Sequence, residues 1–291
     1  MRIGLALPVF SDDAAKPIAF AARAVGLGFH GLFAADHLFP PMGAAFPSLE
    51  AFTTLSAVAA RHPGTAVGTL VTRVTLRPAG MLAKLATALD HVSGGNAIVA
   101  LGTGDSVSIP EHEMFGFGFP PIAERRARLE ETVLAMKQLF AGRPWSGGSY
   151  VPALTGPLRP PPVRAGGPPV WVGGVADAAV DLAARVADGW NGWGLDAEGF
   201  ETRARRLHAG GDDVTATWGG IAVVGEDRDD LERLLADRAD RGLSVGDAWT
   251  GTVEDLRAFA DRLARAGCEW AIFLPGGPAD RLDVIARALL S

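Results

Sequence analysis

The stretch RPAGMLAKLATALDHVSGGNAIVALGTGD, residues 77–105, decides the fold. Its first half is a helix. Pro78 suits a first turn, where a missing N–H costs nothing, and Leu82, Leu85, Leu89 and Val92 recur at helical spacing. Its second half, AIVALG at 97–102, is apolar without alternation. A strand apolar on both faces is buried on both faces, which is the mark of a parallel sheet. Parallel neighbours need a crossover, usually a helix, and here the helix precedes the strand directly.

The same unit repeats outward in both directions. Apolar strands are predicted at 2–8, 31–35, 66–71, 97–102, 169–173, 188–192, 217–224 and 269–274. Helices are expected between them, among them 14–26, 123–140 and 175–187. Another, 253–266, opens after Thr252, a good N-cap, and stops at Gly267. Eight units in 291 residues predict a (β/α)8 TIM barrel, one domain over 1–291. A doubly wound sheet is the structural alternative. Two segments exceed ordinary loop length: 104–121 after strand 4, and the Pro/Gly-rich 142–168 before strand 5. Both are expected to be insertions or lids.

Composition narrows the function. The net charge is −6 and no Lys/Arg block stands out, so the long-range field offers nothing to nucleic acid. A single cysteine, Cys268, excludes an intrachain disulfide or a Cys-based metal site. MRIGLALPVF looks like a first strand rather than a signal peptide, and no apolar run reaches the ~18 residues of a membrane span. A soluble cytoplasmic protein with no membrane partner is expected.

In a barrel of this kind, chemistry gathers in the loops after the strands. LFAADHLFPP at 32–41 ends strand 2 on Asp36-His37. Two readings are open: an imidazole that relays a proton beside a carboxylate, or a capping Asp with a His on a polar rim. Gly102-Thr103-Gly104-Asp105 ends strand 4, where small residues and exposed N–H groups can hold a phosphate or a ring carbonyl. Gly173-Gly174 ends strand 5 just before a helix, a geometry suited to an anion or to a plain tight turn. GLGFHG at 26–31 matches G-x-G-x-x-G in letters, but it closes a helix and enters a strand, the reverse of the dinucleotide context. Glu111-His112-Glu113 lacks a second ligand pair at matching spacing, so no metal is expected. Arg125 and Arg128 with Glu124 and Glu130 suggest ion pairs along one helix. Trp171 and Trp218 suit the core, and Trp193 could line a pocket.

These pieces, in this order, resemble the bacterial luciferase-like monooxygenase family of flavin- and F420-dependent enzymes. The matching segments are AADHLF (34–39), VGTLVT (67–72), 77–105, ERRARLEETVLAMKQLFAG (124–142), and PPVWVGG through LAARVADGWNGW (168–193). TGTVEDLRAFADRLARAG at 250–267 is similar to the family's closing helix. The Asp-His pair and the Gly-Thr-Gly-acid look most like the F420 branch. That resemblance implies hydride transfer between the deazaflavin C5 and a small organic substrate, with His37 and Asp105 catalytic. It implies a strand-3 bulge with a cis peptide near Thr69-Leu70, and a ring contacted by Asp36, Thr69, Leu70 and Thr72. It implies a phosphate held by Thr103, Gly104, Gly173 and Gly174, with Gly102 and Val175 also against the cofactor, and a homodimer. An FMN-dependent monooxygenase using reduced flavin and oxygen is the alternative, and a non-catalytic flavin- or deazaflavin-binding barrel is another. The chain also departs from the branch's sugar-phosphate dehydrogenases. Phe39-Pro40-Pro41 stands where they carry Trp, Leu7-Pro8-Val9 where they carry Glu, Asn96 where Arg is common, and lysine is rare. These departures argue against a glucose 6-phosphate-type substrate.

Overall fold

The computed structural model describes residues 1–211, 213–244 and 246–290. Strands β1 (Arg2–Ala6), β2 (Gly31–Ala34), β3 (Ala66–Arg73), β4 (Ala97–Gly102), β5 (Val170–Gly173), β6 (Gly189–Trp193) and β7 (Thr215–Gly225) pair in sequence, all parallel. β9 (Cys268–Pro275) then pairs with both β7 and β1 and closes the barrel. The strands expected from continuous apolar runs are the strands found. β8 (Ala248–Thr252) is an addition. It pairs with Ile221–Gly225 of β7, beyond the point where β6 lets go at Gly219, and so raises one side of the rim. Its residues, AWTGT, are mostly half-buried, so it lacks the apolar run by which the others are recognised.

The outer layer follows the βα repeat: α1 (Ala15–Gly26), α2 (Ala51–Arg61), α3 (Ala79–Val92), α5 (Ile122–Phe140), α6 (Asp177–Val186), α7 (Ala197–Leu207), α8 (Arg228–Asp240), α9 (Val253–Arg265) and α10 (Arg281–Leu289). In α9 the Thr252 side chain accepts from the Asp255 N–H while Asp255 reaches back, a reciprocal capping box. Gly28, at φ 92°, makes the turn out of α1, so the G-x-G-x-x-G letters serve a helix end. The insertion at 104–121 is not plain loop; it carries a short helix, α4 (Ile109–Met114). Among the described residues, no helix is long and apolar enough to cross a membrane.

Large and small residues interlock inside the barrel. Phe33 stacks on Trp171 (6.0 Å between centroids) and meets Trp270 edge-on (5.6 Å). Gly31 and Gly189 make the room: a Cβ would stand 2.8 Å from the Trp270 ring at the first and 2.4 Å from Trp171 at the second. This layer of rings is therefore closely packed, as barrel interiors are.

The register between β3 and β4 shifts between Thr69 and Thr72, and the Leu70-Val71 peptide is cis, one residue beyond the expected place. Val71 becomes a wedge. A Cβ on Gly102 would lie 2.7 Å from its Cγ2, and one on Gly173 2.6 Å from its Cγ1. Both methyls are seated, so the side chain cannot turn from one notch without entering the other. Gly102→Ala and Gly173→Ala should each destabilise the fold by about 1–3 kcal/mol, as overpacking does. Adding Val71→Ala should recover most of the loss; chemical denaturation of the single and double variants checks this.

Candidate active site

The loop after β2 and the helix α4 meet over the open end of the barrel. Glu111 is almost fully buried (1% exposed), and both of its oxygens are engaged. Oε1 lies 2.7 Å from His37 Nδ1. Oε2 accepts from the Leu38 N–H at 2.7 Å and from Arg73 Nη2 at 2.6 Å. Burial alone would raise this carboxyl, but the hydrogen bonds from His37 and Arg73 outweigh it and hold it down to about 2. An ionised carboxylate only accepts, so Nδ1 of His37 carries a proton. Its Nε2 has no hydrogen-bond partner among the described residues, and Phe10 packs edge-on to the ring at 5.8 Å. A half-buried imidazole with one nitrogen tethered and the other open can give or take a proton at the mouth.

Asp36 turns the other way. Its two oxygens accept from Arg77 at 2.5 and 3.2 Å, and Arg77 also reaches Glu50 at 2.8 Å. Asp36 is therefore a buried anchor that ties the β2 loop to the start of α3, and the acid beside the imidazole is Glu111. His112, next to Glu111, is also buried. Its Nδ1 faces the Ser108 carbonyl at 2.9 Å and its Nε2 the Thr75 hydroxyl at 2.8 Å, while burial pushes its pKa below the usual imidazole value. Glu111 and His112 thus point to different partners and do not converge on a common centre.

Thr69, Leu70 and Thr72, expected against a ring, have buried side chains. The Thr69 hydroxyl donates to the Ala100 carbonyl at 3.0 Å. Half-buried Val71 is the side chain this stretch leaves at the mouth, and its methyls fill the spaces over Gly102 and Gly173. At those two glycines a side chain would meet Val71.

The loop after β4 is organised by Arg125, which is buried and not part of a solvent-side ion pair. Its Nη1 donates to the carbonyls of Thr103 (2.9 Å) and Gly104 (2.6 Å), its Nε to Pro120 (2.9 Å), and the guanidinium lies 3.8 Å over Phe119. In a trans peptide the N–H points opposite the C=O. Fixing those two carbonyls therefore turns the N–H groups of Gly104 and Asp105 away from Arg125, and neither has a partner among the described residues. Asp105 is exposed, with Oδ1 accepting from the Ser108 hydroxyl at 3.2 Å. At the neighbouring strand end, Gly174 adopts φ 149°, and Ala176, the N-cap of α6, offers no side-chain cap. Arg203, unremarked in the sequence, donates from Nε to the Val175 carbonyl at 2.5 Å. Uncapped N–H groups with a guanidinium nearby suit an anion. Cys268 is excluded from the chemistry, because burial pushes its thiol up to about 12.

Residues 1–272 match the family model described as luciferase-like monooxygenase. An F420-dependent glucose-6-phosphate dehydrogenase of Microbacterium testaceum is 28% identical over 219 residues, 74% of this chain and 61% of that protein. One of Nakamurella multipartita is 31% identical over 166 residues, 56% of this chain and 47% of that protein. The matched part thus spans less than two thirds of each relative. Among solved structures, an F420-dependent secondary alcohol dehydrogenase in complex with an F420-acetone adduct superposes with a TM-score of 0.82 at 18% identity, covering 99% of this chain and 98% of that one. That likeness concerns the fold. With the family model covering all but the last 19 of 291 residues, and the barrel in place, the chain belongs to the luciferase-like monooxygenase family.

Proposed function

We propose that this protein is an F420-dependent oxidoreductase whose proton is handled by His37. The observation that carries the reading is the Glu111–His37 contact at 2.7 Å with Nε2 left open at the barrel mouth. The cofactor reading is supported by relatives named for F420 and by a donor set that fits a phosphorylated ring cofactor. The N–H groups of Gly104 and Asp105, those opening α6 after Gly173-Gly174-Val175, and Arg203 would hold the phosphate. Val71, with Leu70 beside it, would back the ring. Bound there, a deazaflavin supplies or accepts a hydride, which the protein itself cannot do.

The chain's own contribution is orientation and acid–base work. Glu111 fixes the His37 tautomer with the proton on Nδ1, so neutral His37 offers a lone pair at Nε2 and protonated His37 offers an N–H there. Arg73 shares the Glu111 carboxylate and keeps it charged. Asp36 and Arg77 hold the His37 loop from behind. Asp105, exposed at the rim, is placed to meet substrate rather than the imidazole.

Titration of the purified chain with F420 and with FMN tests the cofactor. F420 fluorescence should be quenched on binding, with FMN at least tenfold weaker. Tight FMN binding without F420 binding overturns the reading in favour of a flavin monooxygenase. F420 binding with no hydride transfer across alcohols, imines and enones identifies a carrier protein instead.

A further inference from the structure

The loops that follow the barrel strands carry an unusual balance of side chains. Among the described residues, Arg77 is the one Lys or Arg within them, and it is committed to Asp36 and Glu50. Arg73, at the end of β3, is buried against Glu111. Arg125 is buried against carbonyls, and Arg281, opening α10, is held by Asp230 and Asp280. Arg203, on α7, reaches the Val175 carbonyl just ahead of α6, on the side proposed for the cofactor phosphate. Lys16 and Arg228 open helices of the outer layer, the latter facing Asp255 at 4.0 Å. Among the described residues, Arg126, half-buried beside Arg125 in the first turns of α5, is a cation of this side with no ion pair, and no cation other than those of the Glu111 and Asp36 clusters is shown near His37.

Apolar side chains take that place. Met42 and Phe46 after β2, Val107, Met114 and Phe115 after β4, and Trp193 at the end of β6 are all exposed, five of them by half or more. Soluble surfaces rarely gather such residues unless something covers them. Phe117 carries the surface on into a cleft of about 470 Å³ lined by Val74, Leu76, Val151 and Leu154 together with Thr75, Arg77, Thr132 and Tyr150. Arg128 lies on that wall, paired with Glu124 and over the Tyr150 ring.

We infer that the substrate is an uncharged, predominantly apolar molecule, seated on the apolar residues of the β2, β4 and β6 loops above His37. This rests on the mouth being the active site. A phosphorylated or carboxylated substrate would find no uncommitted Lys or Arg in the loops themselves, which present the exposed carboxylates of Asp105 and Glu113. An apolar one gains by removing its own surface and that of the rim from water, the general source of affinity in such sites.

Two titrations of the full chain separate this inference from the cofactor reading. In the first, without cofactor, menthone, glucose and glucose 6-phosphate are added while tryptophan emission is followed. Menthone should bind at least tenfold tighter than either sugar, with an affinity unchanged by salt. Trp193→Phe should remove most of the signal, and Phe115→Ser should weaken binding severalfold. In the second, F420-loaded protein is offered the same compounds plus cyclohexanol. Glucose 6-phosphate binding or turnover equal to that of the apolar compounds overturns the inference and leaves the F420 reading standing, as does failure of every apolar probe to bind. Apolar binding at the rim without F420 binding overturns the cofactor reading and supports the inference.

Discussion

His37→Ala should leave F420 binding within about tenfold (~1.4 kcal/mol) and lower turnover by ~10²–10⁴, the usual worth of a positioned acid–base group. The asymmetry follows from geometry. The groups proposed to hold the anion lie chiefly on the β4 and β5 loops, whereas His37 sits on the β2 loop with one nitrogen left open. Removing the ring takes a proton carrier from the site without touching those N–H groups. His37→Gln is the stricter version, since its side chain can still meet Glu111 but cannot titrate. Unchanged turnover in either variant, measured by F420 absorbance under saturating substrate, removes His37 from the mechanism.

Glu111→Gln should be nearly as damaging, for two separable reasons. The first is stability. The variant leaves the Arg73 guanidinium buried beside a neutral amide, and breaking a buried ion pair from one side costs about 3–5 kcal/mol. Linkage gives a similar figure, because moving this carboxyl from 4.5 to about 2 on folding amounts to about 3 kcal/mol. The folded value lies below the unfolded one. The stabilisation is therefore complete above about pH 4.5 and disappears as pH falls through about 2. Wild-type acid unfolding should show this window, and the Gln variant should lack it. The second reason is orientation, because the imidazole loses the acceptor that fixes its tautomer. Combining Glu111→Gln with Arg73→Leu removes the orphaned charge and should restore at least half the stability, while turnover stays depressed ~10²-fold. Turnover that returns together with stability would reduce Glu111 to a structural support. Nitrogen chemical shifts of the His37 ring in the cofactor-free protein give an independent reading: the Nδ1-protonated form in wild type, mixed tautomers in the double variant.

The barrel strands were legible because each is buried on both faces and so carries a continuous apolar run, as AIVALG does. The Asp-His pair was legible as a strand-end oddity, but its wiring was not. Side chains of adjacent residues leaving a strand point to opposite sides, so Asp36 finds Arg77 while His37 finds Glu111. Glu111 lies 74 residues from its imidazole in the chain, in an insertion whose glycines and prolines hid a helix. In one dimension it was an acid beside a histidine, a pattern that suggested metal and then failed the ligand count. Arg125 misled for a related reason. Helical spacing offered it carboxylates, yet burial turned it toward the carbonyls of Thr103 and Gly104. Spacing within a helix says which neighbours are reachable, and burial decides which are used.

The Glu111 tether has an evolutionary consequence. It pins the insertion at 104–121 near its middle, and Arg125 pins it at both ends through Thr103, Gly104 and Pro120. The residues between those pins, Glu113 to Gly118, form a short span that touches the mouth but holds neither the imidazole nor the strand end. Drift or selection can rewrite that span, trading aromatic for polar or long for short, without disturbing the Glu111–His37 contact. A descendant enzyme with a new substrate needs to change little else.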